Sequence, residues 1–292
     1  MHYSPIALFI YNRPEHTRRT LESLMRCDHF SLSPLYIFCD GAKDANDKSR
    51  VEGARAVARS LAGSRAEYVE SGANQGLADS IIAGVSRLCR DHGRVIVVED
   101  DLLVSGHFLG FLNEALIRYE NEAKVAQVSA YMFPVEGFAQ RTEAFFLPFT
   151  SSWGGATWKR AWDLFDGRAS GWEAVRGDEG LRRRFNLEGA YDYYSLMKRQ
   201  MSGAIDSWAI RWYWSVFRAG GLTLFPPRTL VRNIGFDGSG THGWRSAKYL
   251  LGEELPEQRA GVRFPGTIAV DEEAFAQVRQ KLRAAHHRPL HR

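Results

Sequence analysis

Residues 95 to 102 read VIVVEDDL: a β-branched apolar run, three carboxylates in succession (Glu99, Asp100 and Asp101), then a return to apolar character. Like charges at the end of a buried strand repel one another, and each is costly to desolvate unless something compensates. A cation is the simplest compensation. In extended geometry Glu99 and Asp101 share a face roughly 6–7 Å apart while Asp100 points the other way, so one carboxylate can reach an ion while its neighbours take water or hydroxyl ligands. A hard divalent ion, Mn2+ or Mg2+, bound by one or two carboxylates plus substrate phosphates, is the economical arrangement. The competing reading is an acidic helix start, since DLLVSGHFLGFLNEAL follows at once with a helical pattern.

Other chemistry-bearing residues stand at comparable places. Arg13 follows the apolar run PIALFIY, and Asp40 follows LYIFC; the first is otherwise a helix-start charge and the second a turn residue before Gly41. Asp206 opens DSWAIRWYW, where a carboxylate serves either as a general base or as a helix N-cap. Asp192, in AYDYYS, is the reserve for the same role. His242 and Arg245 lie in the glycine-rich stretch NIGFDGSGTHGWR, whose backbone is expensive to order without a partner. That stretch is expected to act as a lid that closes over a diphosphate, or else as a plain connection to the C-terminal segment.

These residues need a scaffold that brings them together. The first 130 positions alternate apolar runs with helical patterns: PIALFIY, a helix opened by Pro14, LYIFC, a polar helix from Asp47 to Leu61, AEYVE, the turn SGANQG, a helix from Leu77 to Cys89, and VIVV. Such alternation predicts a parallel sheet with helices on both faces, and ligands in such sheets sit beyond the carboxyl ends of the strands. Asn12 and Arg13, Asp40 and Gly41, Asn74 to Gly76, and Glu99 to Asp101 all fall at those ends and should share one rim. YNRPEH lacks the glycine fingerprint of a dinucleotide site, and there is no GxxxxGK[ST] loop. Past residue 130 the composition changes: all eight tryptophans lie between Trp153 and Trp244, and five or six are expected to be core. Asp271 is placed to cap a final helix with Phe275, Val278 and Leu282 on one stripe.

At 292 residues and 45% apolar, the chain can bury one large core. Three cysteines (Cys27, Cys39, Cys89) without paired spacing indicate buried thiols in a reducing compartment rather than a disulfide framework. No apolar run is long enough for a signal region or a span, which points to a soluble, cytoplasmic protein. The net charge of +4 is dispersed and accompanied by no nucleic-acid-binding motif, so nucleic acid is not an expected partner. The tail HHRPLHR is expected to be solvated, with peripheral contact to an anionic membrane as a minority reading.

The run VIVVEDDLLVSGHFLGFLNEAL followed by VAQVSAY resembles the core of GT-A fold nucleotide-sugar glycosyltransferases, most closely the N-acetylglucosaminyltransferase I group with its Glu-Asp-Asp signature. ALFIYNRP is similar to that group's first strand, YIFCDG to its second, SSWGGATWKRAW to its Gly-Trp segment, and DSWAIRWYW to its acidic-Trp helix start. The resemblance covers residues 5 to 245. It implies a GT-A fold: a Rossmann-like, mostly parallel sheet with helices on both faces and a tryptophan-rich acceptor-side half. The implied domain spans residues 1–250 (nucleotide-sugar half to about 130, acceptor side from 131), with residues 251–292 as a helical extension and basic tail. The implied activity is a metal-dependent, inverting transfer from a UDP-sugar to a glycan or glycolipid acceptor, of the hexosyl or N-acetylhexosaminyl class, in bacterial surface-glycan synthesis. By position, Asp101 would bind the metal, with His242 completing its shell. Glu99 and Asp100 would reach metal waters and sugar hydroxyls, Arg13 and Asp40 the nucleotide base, and Arg245 the diphosphate. Asp206 would take the acceptor proton, although in the family the acid directly precedes the Trp and here Ser207 intervenes. A nucleotidylyltransferase is disfavoured because no glycine-rich basic loop follows the first strand; a non-catalytic sugar- or lipid-binding module is the rival of another class.

Overall fold

A computed structural model of the chain describes residues 3–237, 255 and 261–286. Ten strands are present among them: β1 Ile6–Ile10, β2 Leu35–Cys39, β3 Ala66–Glu70, β4 Arg94–Glu99, β5 Leu102–Val104, β6 Val125–Ser129, β7 Phe145–Leu147, β8 Gly155–Trp158, β9 Leu222–Phe225 and β10 Val231–Asn233. The helices are α1 Pro14–Met25, α2 Ala45–Ala62, α3 Leu77–His92, α4 Phe108–Arg118, α5 Lys159–Trp162, α6 Ala174–Gly177, α7 Glu179–Phe185, α8 Tyr193–Met201, α9 Trp208–Arg218 and α10 Glu272–His286. Up to β4 these elements follow the sequence expectation closely, because each is specified by local signals. Pro14 occupies the first turn of α1, and the Asp44 carboxylate caps α2 by accepting from the Asn46 and Asp47 N–H groups.

Eight strands form one sheet in the order β3-β2-β1-β4-β8-β6-β9-β7, and β5 pairs with β10 in a separate two-stranded ribbon. The block β3-β2-β1-β4 is wholly parallel. β8 then runs antiparallel to both β4 and β6, β9 is parallel to β6, and β7 is antiparallel to β9. The period of two along each strand assigns the faces. Ile6, Leu8 and Ile10 share a buried cluster with Leu21 and Leu24 of α1, Ala54 and Ala58 of α2, and Leu112 of α4. Ala7 and Phe9 join Ile81, Val85 and Leu88 of α3 and Trp208 and Trp212 of α9 on the opposite face. Helices therefore cover both faces, as the alternation predicted.

The second half departs from simple alternation. Its strand β8 is inserted between β4 and β6, so the sheet runs unbroken from the first half into the second. Gly155 permits this: a Cβ there would lie 2.5 Å from the Val128 carbonyl oxygen. A third cluster packs Phe185, Tyr213, Trp214, Phe149 and Phe225 with Phe275, Val278 and Leu282 of α10, whose Asp271 accepts from the Ala274 N–H. Five tryptophans (158, 162, 208, 212 and 214) are buried in these cores. The three cysteines are buried and unpaired, with thiols pushed up to about 12 by desolvation. No described helix is long and apolar enough to cross a membrane.

Candidate functional site

The carboxyl ends of β1, β2, β3 and β4 meet at one rim, and β8, running the other way, brings residues 151–154 to the same edge. At the end of β4, burial pushes the Glu99 carboxyl well above the usual range, reinforced by the charges of Asp101 and Asp100 and opposed by Arg13. Asp100 is pushed up to about 7 for the same reasons, burial first, although its Oδ2 accepts from the Tyr11 N–H at 3.2 Å. The Asp100 carbonyl accepts from the Thr20 hydroxyl at 2.7 Å, anchoring the acidic turn to α1. Asp101 is paired with Arg13, Nη1 to Oδ2 3.0 Å. One guanidinium thus faces three carboxylates, and the two acids not bonded to it stay hard to ionise.

This donor set can be tested against a metal. Among the described residues no three His, Cys, Asp or Glu side chains converge into a preformed cage. A closed structural site of the zinc type is therefore excluded for those residues. The oxygens are hard donors with uncompensated negative charge, which fits an ion that takes one or two carboxylates and fills the rest of its shell with water and phosphate oxygens. Arg13 occupies Asp101 instead of reaching outward to a base.

A roof crosses this site. β10 pairs antiparallel with β5, Asn233 opposite Leu102, and the chain continues directly over the acids. The Ile234 N–H donates to the Asp101 carbonyl at 2.8 Å, and the Asn233 side-chain oxygen accepts from the Gly235 N–H at 2.7 Å. Gly235 is packed so tightly that a Cβ would stand 2.1 Å from Asp101 Oδ2 and 3.0 Å from Arg13 Nη1. His16 of α1 reaches the same stretch, its Nε2 3.3 Å from the Ile234 carbonyl and 3.2 Å from Asp237 Oδ2. The start of the glycine-rich segment is thus fastened onto the acidic run. His242, Arg245 and the rest of the expected lid lie outside the described residues.

Asp40 has a different job from the one expected of it. Its Oδ1 accepts from the Gly41 and Gln75 N–H groups, both at 2.8 Å, and its Oδ2 from the Gly76 N–H at 3.0 Å and the Asn74 side chain at 2.9 Å. Four donors fill the acceptor capacity of one carboxylate. Asp40 is buried and ties the turn after β3 to the end of β2, so in this arrangement it has no lone pair left for a uracil N3–H. The turn reading of this residue is the one realised.

Asp206 does not cap α9. Ser207 does, its side chain accepting from the Ile210 N–H at 3.4 Å. The Asp206 carboxylate is exposed and fixed from one side by Arg211, Nη2 to Oδ1 2.9 Å. Its Oδ2 lies 3.8 Å from where a Gly76 Cβ would be, which places it against the turn that Asp40 holds. Asp192 caps α8: burial works to raise its pKa, but hydrogen bonds from the Ser195 N–H and side chain and from Asn186 outweigh this and lower it. The reserve candidate is spent on structure, and the first candidate is free of that task.

Two features were not read from the sequence. Asp47 of α2 accepts from the Tyr11 hydroxyl, from Asn12 Nδ2 at 2.8 Å and from Arg50 at 2.5 Å, which holds it down to about 2 and fixes the β1 end of the rim. The motif YNRP carried the signal, but its partner is more than thirty residues away. Trp153 leads into β8 beside the rim, edge-on to Tyr131 at 4.5 Å between ring centroids and 5.5 Å from Phe236 of the roof. It was one of eight tryptophans, and only its place in the sheet singles it out.

No protein-family model matches the sequence, and no curated protein matches it. Among solved structures, a mannosyltransferase from Pyrobaculum calidifontis in complex with GDP-Man and Mn2+ aligns at 15% identity over 74% of this chain and 69% of its own, with a TM-score of 0.38. The galactosyltransferase LgtC in complex with donor and acceptor sugar analogues aligns at 10% identity over 76% and 72%, TM-score 0.40. S. aureus TarS (residues 1–349) aligns at 14% identity over 55% of this chain and 47% of its own, TM-score 0.38. These overlaps are partial.

Proposed function

We propose that the chain is a metal-dependent glycosyltransferase of the GT-A type that moves a sugar from a nucleoside-diphosphate donor to a hydroxyl acceptor. The observation that carries the reading is the acidic rim. Three carboxylates stand at the carboxyl end of a parallel strand with a single guanidinium among them and a glycine-tight roof above. Such a site asks for a divalent ion with a phosphate-bearing ligand. Asp101 would hold the ion, with Glu99 and Asp100 on its water or sugar-hydroxyl side; His242 is a further proposed ligand on the sequence argument. A bound Mn2+ or Mg2+ would neutralise charge on the departing diphosphate.

The chain's own residues then divide the remaining work. Arg13, which pairs with Asp101 at 3.0 Å, stands at the rim where its planar fork would suit the phosphate oxygens of the donor. Asp206 takes the proton of the acceptor hydroxyl as that oxygen attacks the anomeric carbon, and the bond from that carbon to the diphosphate oxygen breaks with its electron pair, inverting the centre. Arg211 keeps the carboxylate in one orientation. Asp40 positions the Gly76 turn beside it. Trp153, partly exposed and backed by the buried Tyr131, offers an apolar face on which a sugar ring can stack. Reading of the nucleobase falls to Asn12 or to rim backbone, and the preference for UDP, for a glycan or glycolipid acceptor and for the hexosyl or N-acetylhexosaminyl class rests on the sequence resemblance.

A thermal-shift panel of UDP-, GDP- and dTDP-sugars with Mn2+, Mg2+ or EDTA tests the reading, since a ligand that binds the native state raises apparent stability by mass action. One nucleotide-sugar should raise Tm only with metal and be turned over slowly to free sugar. Stabilisation by no donor under any metal condition would sink it.

A further inference from the structure

A second cavity of about 990 Å3 lies away from the acidic rim, between α4 and the segment 261–264. The β5–β10 ribbon separates the two sites: Asp101 meets Ile234 at one end, and at the other the Ser105 N–H donates to the Leu230 carbonyl, both residues lining the cavity. Its wall is mainly apolar, with Phe111 and Phe264 stacked at 5.4 Å and Ile117 and Leu230 beside them. This apolar strip suits a hydrocarbon chain, which asks for no hydrogen-bond partner, while His29, Asn113, Gln140 and Thr142 make other parts of the lining polar.

Two details indicate that the space is kept for a ligand. Gly110, the third residue of α4, faces the cavity, and a Cβ there would meet only His29 Cδ2 at 3.9 Å. Glycine is the poorest helix former after proline, and among the described residues no contact and no left-handed backbone angle requires it; a larger side chain would enter the cavity. The polar wall is also cationic. Glu114 is the only carboxylate among the described lining residues, against Arg141 and Arg228. Arg141 is committed to Asp271, while Arg228 donates to the Ala139 carbonyl and, among the described residues, pairs with no acid. Ser105 bonds to Leu230, two residues along the chain from Arg228, so this cation sits near the ribbon end of the cavity.

We propose that this cavity binds an anionic amphiphile, an alkyl or isoprenyl chain along Gly110, Phe111, Ile117 and Phe264 with its phosphate head at Arg228. The site does not depend on the glycosyl-transfer reading. Its ligand is either a free alkyl phosphate or the phosphate of a bilayer lipid, and the two sources share this chemistry.

The test uses the full chain and dodecyl phosphate below its micelle concentration, followed by calorimetry, with dodecyltrimethylammonium and inorganic phosphate as controls. Dodecyl phosphate should bind at least about tenfold more tightly than either control, and Arg228→Ala should remove about that factor, as expected for a charge-assisted hydrogen bond. Gly110→Leu should abolish binding with Tm unchanged or raised. Co-sedimentation with phosphatidylglycerol vesicles that Gly110→Leu prevents assigns the bilayer as the source; binding of the monomer without sedimentation assigns the free phosphate. Equal affinity for the cationic amphiphile, binding that survives Gly110→Leu, or a fall in Tm for that variant, which would mean that the chain's own residues fill the cavity, each overturns the proposal.

Discussion

The two halves of the sheet are built on different principles. From β1 to β4 every strand is parallel to its neighbour and every connection is a local strand-helix unit, so the rim residues arrive by simple succession. From β6 onward the order is interleaved, with β8 threaded between β4 and β6 and β7 returning on the outside. The first half supplies charge, in Arg13 and the three acids. The second supplies cover and the candidate base, in Gly235, Trp153 and Asp206. The charged cluster lies where the fold is locally determined, and its cover and the Asp206 carboxylate lie where the fold depends on long-range packing.

The comparison can be broken most sharply at Asp101. Asp101→Ala should cost on the order of 10³-fold in turnover by removing the proposed metal anchor, while the fold survives, because losing one of three clustered carboxylates relieves repulsion. Metal-dependent turnover that is unchanged would transfer the anchor elsewhere. On the other side of the rim, Asp206→Asn should lower kcat by about 10²-fold with donor affinity retained. Its Tm should hold, since Ser207 rather than Asp206 caps α9; a variant that keeps full kcat removes Asp206 from the mechanism.

Where the halves touch, Gly235→Ala should weaken Mn2+-dependent donor binding by about tenfold, because the new methyl would collide with Asp101 and Arg13 and must push the roof away at a cost of about 1–3 kcal/mol. Donor titration by fluorescence or calorimetry measures it. The acids also make the site pH-dependent. The folded-state pKa of Asp100, about 7, exceeds its ordinary value, so this group favours the metal-free fold below that ordinary value and the contribution is lost as pH rises toward and through 7. Protons and metal compete for the same oxygens, so the rise in Tm on adding Mn2+ should grow between pH 5.5 and 7.5; a rise that is flat across this window would show that Asp100 stays outside the metal's reach. The smallest effect separates capping from catalysis: Ser207→Ala should cost about 1 kcal/mol in urea denaturation and leave kcat within a factor of a few.

The same division explains what the sequence disclosed. VIVVEDDL, YIFCD and ALFIYNRP announced their strands and rim positions because period, turn residues and helix starts are encoded within a dozen neighbours. Asp40 was placed correctly in space, but its occupation by Gln75, Gly76 and Asn74 depends on a turn thirty-odd positions later, and no local pattern reports how many donors a carboxylate has already met. Asp206 and Ser207 compete for one cap, and only the backbone decides between them. The antiparallel entry of β8 rests on Gly155 approaching the β6 backbone, a distance that composition does not contain. Gly235 looked like one of several glycines in a loop; contact with Asp101 distinguishes it.

That contact also sets an order of events. Asp101 and Ile234 are joined by a backbone hydrogen bond although roughly 130 positions separate them in the chain. At a synthesis rate of about 5–20 residues per second, the acidic rim emerges on the order of ten seconds before its roof exists. Any chain ending before β10 would carry the three acids without their cover, an open anionic patch that can collect cations from solution but has nothing to close over a donor.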